Sequence, residues 1–266
     1  MFAGRGVEDR LDADLEMPTP PGRRPRKSGS PRTPLSQDLI VSAAIRVLDA
    51  DGLDAVSMRR VAQELETGPA SLYAHVSNKE ELLELMLDRI AGEVRLPEPD
   101  PERWREQVKE VCRDARRVWR AHADIARASL GLIPTAPNLL RIAECQLALM
   151  RAGGVPSQVA AFAVDTLGMF VDSDTIEDSV YVARLAEGET PEEYWTKRVT
   201  QIRDYYGALP PSRFPHIRAM ADELTQGGGD ERFEFGLDIL VRGIASYAEP
   251  PPQGVAPPIE DPPDPR

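Results

Sequence analysis

Between Ser36 and Ile90 the chain starts and stops helical periodicity four times, leaving no stretch long enough for anything but short, closely packed helices. Ser36 stands where an N-cap belongs, ahead of Ile40, Ala43, Ala44, Val47 and Leu48, whose spacing of three and four marks one buried face. Asp51-Gly52 then supplies a stop that tolerates the left-handed conformation. Ser57 repeats the start signal for a second, short helix carrying Met58, Val61, Ala62 and Leu65, which Glu66-Thr67-Gly68 breaks. Pro69, its φ preset for a first helical turn, opens a third segment in which Leu72 and Val76 face inward and Ser71, Tyr73 and His75 stay available. Ser77-Asn78-Lys79-Glu80 reads as a capping box before a fourth helix with Leu82, Leu83, Met86, Leu87 and Ile90 as its buried stripe. Two helices joined by a turn of three or four residues, the second short and polar-faced, predict a helix-turn-helix.

The pattern stays helical after Pro97-Glu98-Pro99-Asp100-Pro101. Trp104, Val108, Val111, Cys112, Ala115 and Val118 form one stripe ending near Ala121, and residues 139–150 form another. Gly153-Gly154-Val155-Pro156 precedes a long helix from Ser157 to about Leu185, with Ala160, Ala161, Val164, Leu167, Gly168 and Val171 unusually small and apolar for a surface. Thr190-Pro191-Glu192-Glu193 starts another helix, and Pro210-Pro211 and Gly227-Gly228-Gly229 flank irregular or short helical stretches. Asp230 is placed to cap a last helix through Phe233, Phe235, Leu237, Ile239, Leu240, Val241 and Ile244. No useful strand alternation appears. The class is therefore all-α, with an N-terminal three-helix helix-turn-helix domain over 35–95 and a C-terminal helical domain over 96–249. Residues 1–34 and 250–266 hold a large share of the 25 prolines and read as unfolded tails.

A length of 266 residues with 41% hydrophobic content is enough to bury one core or two modest ones. A net charge of −12 argues against a chain that coats nucleic acid without specificity. The run from Arg23 to Arg32 is the local exception: Arg23, Arg24, Arg26, Lys27 and Arg32 stand together without an acid, just ahead of the first helix. Cys112 and Cys145 sit in apolar helical patterns without metal-binding spacing and read as buried thiols in a reducing cytoplasm. No apolar run approaches the roughly 18 residues of a membrane span, and the acidic N-terminus is unlike a signal peptide, so no membrane association is expected.

Enzyme signals are missing from the sequence: His75, His122 and His216 are far apart, and there is no phosphate-binding glycine loop or nucleophile elbow. No metal or cofactor is expected. The stretches "AAIRVLDADGLDAVSMRRVAQEL" and "ASLYAHVSNKEELLELM" resemble the DNA-binding domain of the TetR family. "HADIARASLG", "VPSQVAAFAVDTLGMFVDSDTIEDS" and "FEFGLDILVRGI" are similar to the ligand-binding and dimerising half of its tetracycline-repressor branch, so the likeness spans residues 36–248. It implies that Arg59, Ser71, Tyr73 and His75 touch DNA, that Lys79 grips a phosphate, and that Pro69 and Ala70, at base-reading positions, offer apolar contact suited to thymine methyl groups. Glu66 and Thr67 depart from the family, which usually has Gly and an apolar residue there; Gly68 stands where it has a Ser or Thr cap. With that domain assigned, the basic run from Arg23 to Arg32 is expected to reach the adjacent minor groove.

In that branch the drug is held as a magnesium complex by polar residues, and the matching places here are Ala91, Val111, Ala115 and Ser129, with only Glu177 kept. A carboxylate without its imidazole partner makes a poor metal site. The expectation is an apolar pocket lined by some of Val111, Ala115, Trp119, Ser129, Met169 and Phe170, with Glu177 at its polar end. The segments 160–171 and 235–244 are expected to form a four-helix interface in a homodimer, since one such domain covers only a half-site. The function implied is a cytoplasmic regulator binding a double-stranded, palindromic DNA operator as a dimer, a repressor released by a small, largely apolar effector. The alternative is a DNA-binding regulator whose C-terminal half serves dimerisation or protein contact alone.

Overall fold

A computed structural model describes residues 34–131, 133–182, 184–185, 188 and 190–248. Arg23, Arg24, Arg26, Lys27 and Arg32, and the proline-rich end from Pro250, lie outside these residues. All regular structure among the described residues is helical. The N-terminal head comprises α1 (Gln37–Asp51), α2 (Met58–Glu64), α3 (Pro69–Leu72) and α4 (Lys79–Ala91). Then follow α5 (Trp104–Ala121), α6 (Pro137–Ala152), α7 (Ser157–Val182), α8 (Pro191–Ala208), α9 (Pro215–Ala219), α10 (Ala221–Thr225) and α11 (Gly229–Ala245). No described helix is long and apolar enough to cross a membrane.

Local chemistry accounts for most of these boundaries. Ser36 and Ser57 each accept a hydrogen bond from the third residue onward, Leu39 and Arg60, satisfying N–H groups that have no partner inside the helix. Thr190 and Glu193 form a reciprocal capping box at the start of α8. Two starts differ from the sequence expectation. Asn78, not Ser77, caps α4: its side chain accepts from the Glu81 N–H at 2.7 Å, and the Glu81 carboxylate accepts from the Ser77 N–H at 2.6 Å. Asn caps as well as Ser, and moving the start by one residue places the second of two adjacent glutamates at the third helical position. Asp230 does not cap α11, which begins after Gly228. Its carboxylate instead accepts from Arg116 at 2.7 Å and Arg120 at 2.9 Å, so it meets two full positive charges in place of the partial charge on backbone N–H groups.

α5 is the axis of the C-terminal half, packed against α6, α7 and α11, while α4 leans on α5 and α6, so one continuous apolar core runs from the head into the rest of the chain. Ion pairs close the long edge of α5. Arg113 bonds both carboxylate oxygens of Glu234 at 2.7 and 2.8 Å, Lys109 meets Asp238 at 2.5 Å, and the buried Arg116 guanidinium lies 4.2 Å over the Phe233 ring while bonding Asp174. α8, α9 and α10 pack chiefly on one another. Cys112 is buried and its thiol pushed up to about 12 by that burial, so it is inert at neutral pH; Cys145, contrary to expectation, is only half-buried, packed at the edge of the core with its thiol toward the Pro97 carbonyl.

The end of α6 passes directly under Trp104, so closely that a Cβ on Gly153 would run into the indole. Gly153→Ala is therefore expected to destabilise the fold by about 1–3 kcal/mol through overpacking. Thermal unfolding should show a Tm lower by roughly 2–4 °C for each kcal/mol, and an unchanged Tm would mean that α5 and α6 can separate freely at this point.

Candidate functional site

The turn between α2 and α3 is a helix stop made by the backbone. The Thr67 N–H bonds the Ala62 carbonyl at 2.9 Å and the Glu66 N–H bonds the Gln63 carbonyl at 3.0 Å, the paired bonds of a Schellman motif. That motif needs a left-handed residue, and Glu66 takes it at φ 50°, where glycine would be free of strain. Replacing Glu66 with Gly should stabilise the head by about 0.5–1 kcal/mol, read as a rise in the urea midpoint with unchanged slope; a fall would show that the Glu66 side chain does more than tolerate the turn.

The bend delivers α3 as a single helical turn with two sides. Leu72 and Val76 are fully buried against the head core, and Gln37 at the start of α1 donates to the His75 carbonyl, so the segment is anchored at its far end. Pro69, Ala70, Ser71 and Tyr73 are exposed, Tyr73 by 54%, and His75 is half-buried. Arg59, on α2, is exposed, whereas its neighbour Arg60 is consumed by Asp51 at 3.0 Å and Glu64 at 3.1 Å. Lys79 is the first residue of α4, beside the Asn78 cap. Arg59 and Lys79 carry no ion pair among the described residues.

Residues 35–95 hold six Lys and Arg against eleven Asp and Glu, a poor balance for holding a polyanion. Six of those acids pair with basic side chains: Asp38 with Arg89, Asp51 with Arg60, Glu64 with Arg46 and Arg60, Asp49 and Glu93 with His122, and Asp54 with Arg127. Arg59 and Lys79, which flank α3 in the sequence, keep their charges out of these pairs among the described residues.

In the C-terminal half, Val111, Ala115 and Trp119 lie buried along α5, Ser129 half-buried just beyond it, and Ala91 buried on α4. Phe170 is half-buried and stacks on Phe233, ring centres 5.2 Å apart. Two expected residues do not join them. Met169 is 57% exposed, and Glu177 is exposed and accepts from the Tyr181 hydroxyl at 2.8 Å. The buried stripe of α7 runs through Ala160, Ala163, Leu167, Val171 and Thr175, and 169 and 177 each sit two residues off it, about 200° around the helix.

Asp172, absent from the sequence expectation, is a half-buried acid that bonds two groups at the edge of the core. Its two oxygens accept from the Trp119 indole N–H at 2.9 Å and the Ser129 hydroxyl at 2.6 Å. Burial pushes its carboxyl above the usual range, with those two bonds pulling the other way. Its one sequence signal was a place directly after the stripe residue Val171, which an acidic stretch disguised as a solvated face.

The segments expected to form an interface divide cleanly. Ala160, Leu167, Val171, Leu237 and Val241 point into the core, whereas Phe162, Met169, Phe235 and Ile239 leave large apolar surfaces on the outer sides of the neighbouring α7 and α11.

Comparison with known proteins gives consistent matches. Residues 40–86 match bacterial regulatory proteins, tetR family, and residues 96–247 match the tetracyclin repressor-like C-terminal domain. The HTH-type transcriptional repressor DrrR1 of Streptomyces coeruleorubidus is 31% identical over 86% of this chain and 84% of its own. The tetracycline repressor protein class G of Vibrio anguillarum is 29% identical over 80% of this chain and 94% of its own. Apo ActR from Streptomyces coelicolor superposes with a TM-score of 0.72 at 44% identity, covering 81% of this chain and 97% of that one. The same protein in complex with actinorhodin gives 0.73 at 43%, covering 80% and 97%.

Proposed function

Because this chain belongs to the TetR family of bacterial regulatory proteins, we propose that it is a homodimeric repressor that binds a palindromic operator and is released by a small, largely apolar effector. The observation that carries the DNA-binding half is the construction of α3: two buried anchors, Leu72 and Val76, fix a turn whose Ser71 and Tyr73 stand clear, with Arg59 before it and Lys79 after it in the sequence, neither in an ion pair among the described residues. An element of that size fits the major groove, where hydroxyl and phenol groups reach base edges and phosphates.

Release by an effector rests on the C-terminal half. The actinorhodin complex of ActR supports a small-molecule effector, and Val111, Ala115 and Trp119 would supply an apolar lining for one. Those three are closed into the core, so a ligand reaching them has to part α5 from α7. Occupancy thereby becomes movement, and differential affinity for the parted state is what shifts the equilibrium away from DNA.

The test is fluorescence anisotropy with the DNA lying upstream of the protein's own coding sequence, with unrelated DNA as competitor. Specific binding at least about 10³-fold tighter than to the competitor is expected, falling steeply with salt. Equal affinity for both would remove the repressor assignment. Added actinorhodin, or an apolar polycycle that raises the protein's Tm, should dissociate the complex; release only by tetracycline with magnesium would replace the apolar site with a metal-assisted one.

A further inference from the structure

The connection between α5 and α6 touches the core on one side and the head on the other. On the core side, Ile125 and Ala126 are buried, and Trp119 and Ser129, which flank the segment, both end on Asp172 of α7. The Ser129 hydroxyl is also 2.6 Å from the Ala126 carbonyl, and its single proton favours the charged acceptor. On the head side, the His122 ring lies between Asp49, at 2.9 Å in the last turn of α1, and Glu93, at 3.4 Å after α4. Arg127 reaches Asp54 at 3.2 Å, just past α1. Asp124 turns the chain between these two grips with φ 60°.

We propose that Asp172 is the positioning residue through which the effector domain holds the DNA-binding head: it pins Trp119 and Ser129, the segment between them carries His122 and Arg127, and those two grip Asp49 and Asp54. The proposal rests on the DNA-binding assignment above and adds to it the effector chemistry. A ligand that unlocks the head carries a hydroxyl or amine donor on an apolar frame, because only a donor can replace the indole N–H and the hydroxyl on the Asp172 oxygens without leaving a half-buried carboxylate unsatisfied. The arrangement has two discrete states, pinned and released, since a carboxylate in that setting is costly with either bond lost.

Asp172→Asn keeps the shape but turns an amide N–H₂ toward one of the two donors. Its operator affinity, measured on the upstream DNA without any effector, should fall about tenfold, within the usual span of allosteric coupling. His122→Ala should produce a similar loss, and the double variant should be no weaker than either single one, because both break the same chain of contacts. Ser129→Ala should follow Asp172→Asn, while Ser129→Thr, which retains the hydroxyl, should restore wild-type affinity. Amide hydrogen exchange supplies a readout independent of DNA: peptides covering residues 45–54 should exchange faster in Asp172→Asn although the substitution is on α7. Losses that multiply in the double variant, or unchanged exchange at 45–54, overturn the proposal. Wild-type protein that ignores the upstream DNA while the exchange result holds would instead overturn the operator assignment and leave the mechanical link standing.

Discussion

Phe235→Asp should yield a folded monomer that has lost specific DNA binding. Phe235 is 68% exposed and Ile239 54%, while Leu237 and Val241 between and beyond them are buried, so a charge at 235 stays out of the subunit's own core. Across a two-fold axis the substitution acts twice. Each lost phenyl forfeits about 1.5–3 kcal/mol of burial, and each carboxylate brought into the interface adds a desolvation penalty. Without the partner, only one half-site is read, and affinity should fall from the nanomolar range of specific complexes toward the roughly 10⁻⁴–10⁻⁶ M of nonspecific binding. Sedimentation velocity checks the mass and circular dichroism the fold. A variant that sediments as a dimer would move the interface away from the outer side of α11.

Tyr73→Ala and Lys79→Ala should weaken operator binding in two distinguishable ways. Tyr73 is 54% exposed and makes no hydrogen bond among the described residues, so its removal should leave Tm within about 1 °C while costing about 1–3 kcal/mol of binding per contacted site. Lys79, as a phosphate contact, should lower affinity on every sequence alike and reduce the slope of log K against log salt by about 0.9 per subunit. A Tyr73→Ala variant that loses stability rather than affinity would make Tyr73 a packing residue; an unchanged slope for Lys79→Ala would remove it from the backbone contact.

Most helix boundaries of the head were legible because caps and stops are local. Ser36, Gly52, Ser57 and Pro69 act within a few residues of themselves, and the spacing of Leu72 and Val76 predicts which side of α3 is buried. The starts that moved, at Asn78 and Gly228, are places where several residues could cap. The choice then falls to partners elsewhere, as when Arg116 and Arg120 draw the Asp230 carboxylate away from the backbone.

The effector core was less legible for the same reason at longer range. Val111, Ala115 and Trp119 fall on an apolar stripe that periodicity reveals, but Met169 and Glu177 were carried over by likeness and turn out on the outer surface. No local pattern separates Asp172 from the acids around it, because what admits a carboxylate to the interior is a pair of donors, and these come from residues 119 and 129, more than forty positions away.

The order of residues alone determined an all-helical chain, a helix-turn-helix near its start and the polar side of α3, since each follows from propensity, capping and a 3.6-residue repeat within a short window. Only the folded arrangement decided which acid Trp119 and Ser129 bond and how the segment after α5 joins that acid to the head. Both depend on groups distant in sequence meeting within hydrogen-bond reach, where the balance between desolvation and pairing is set.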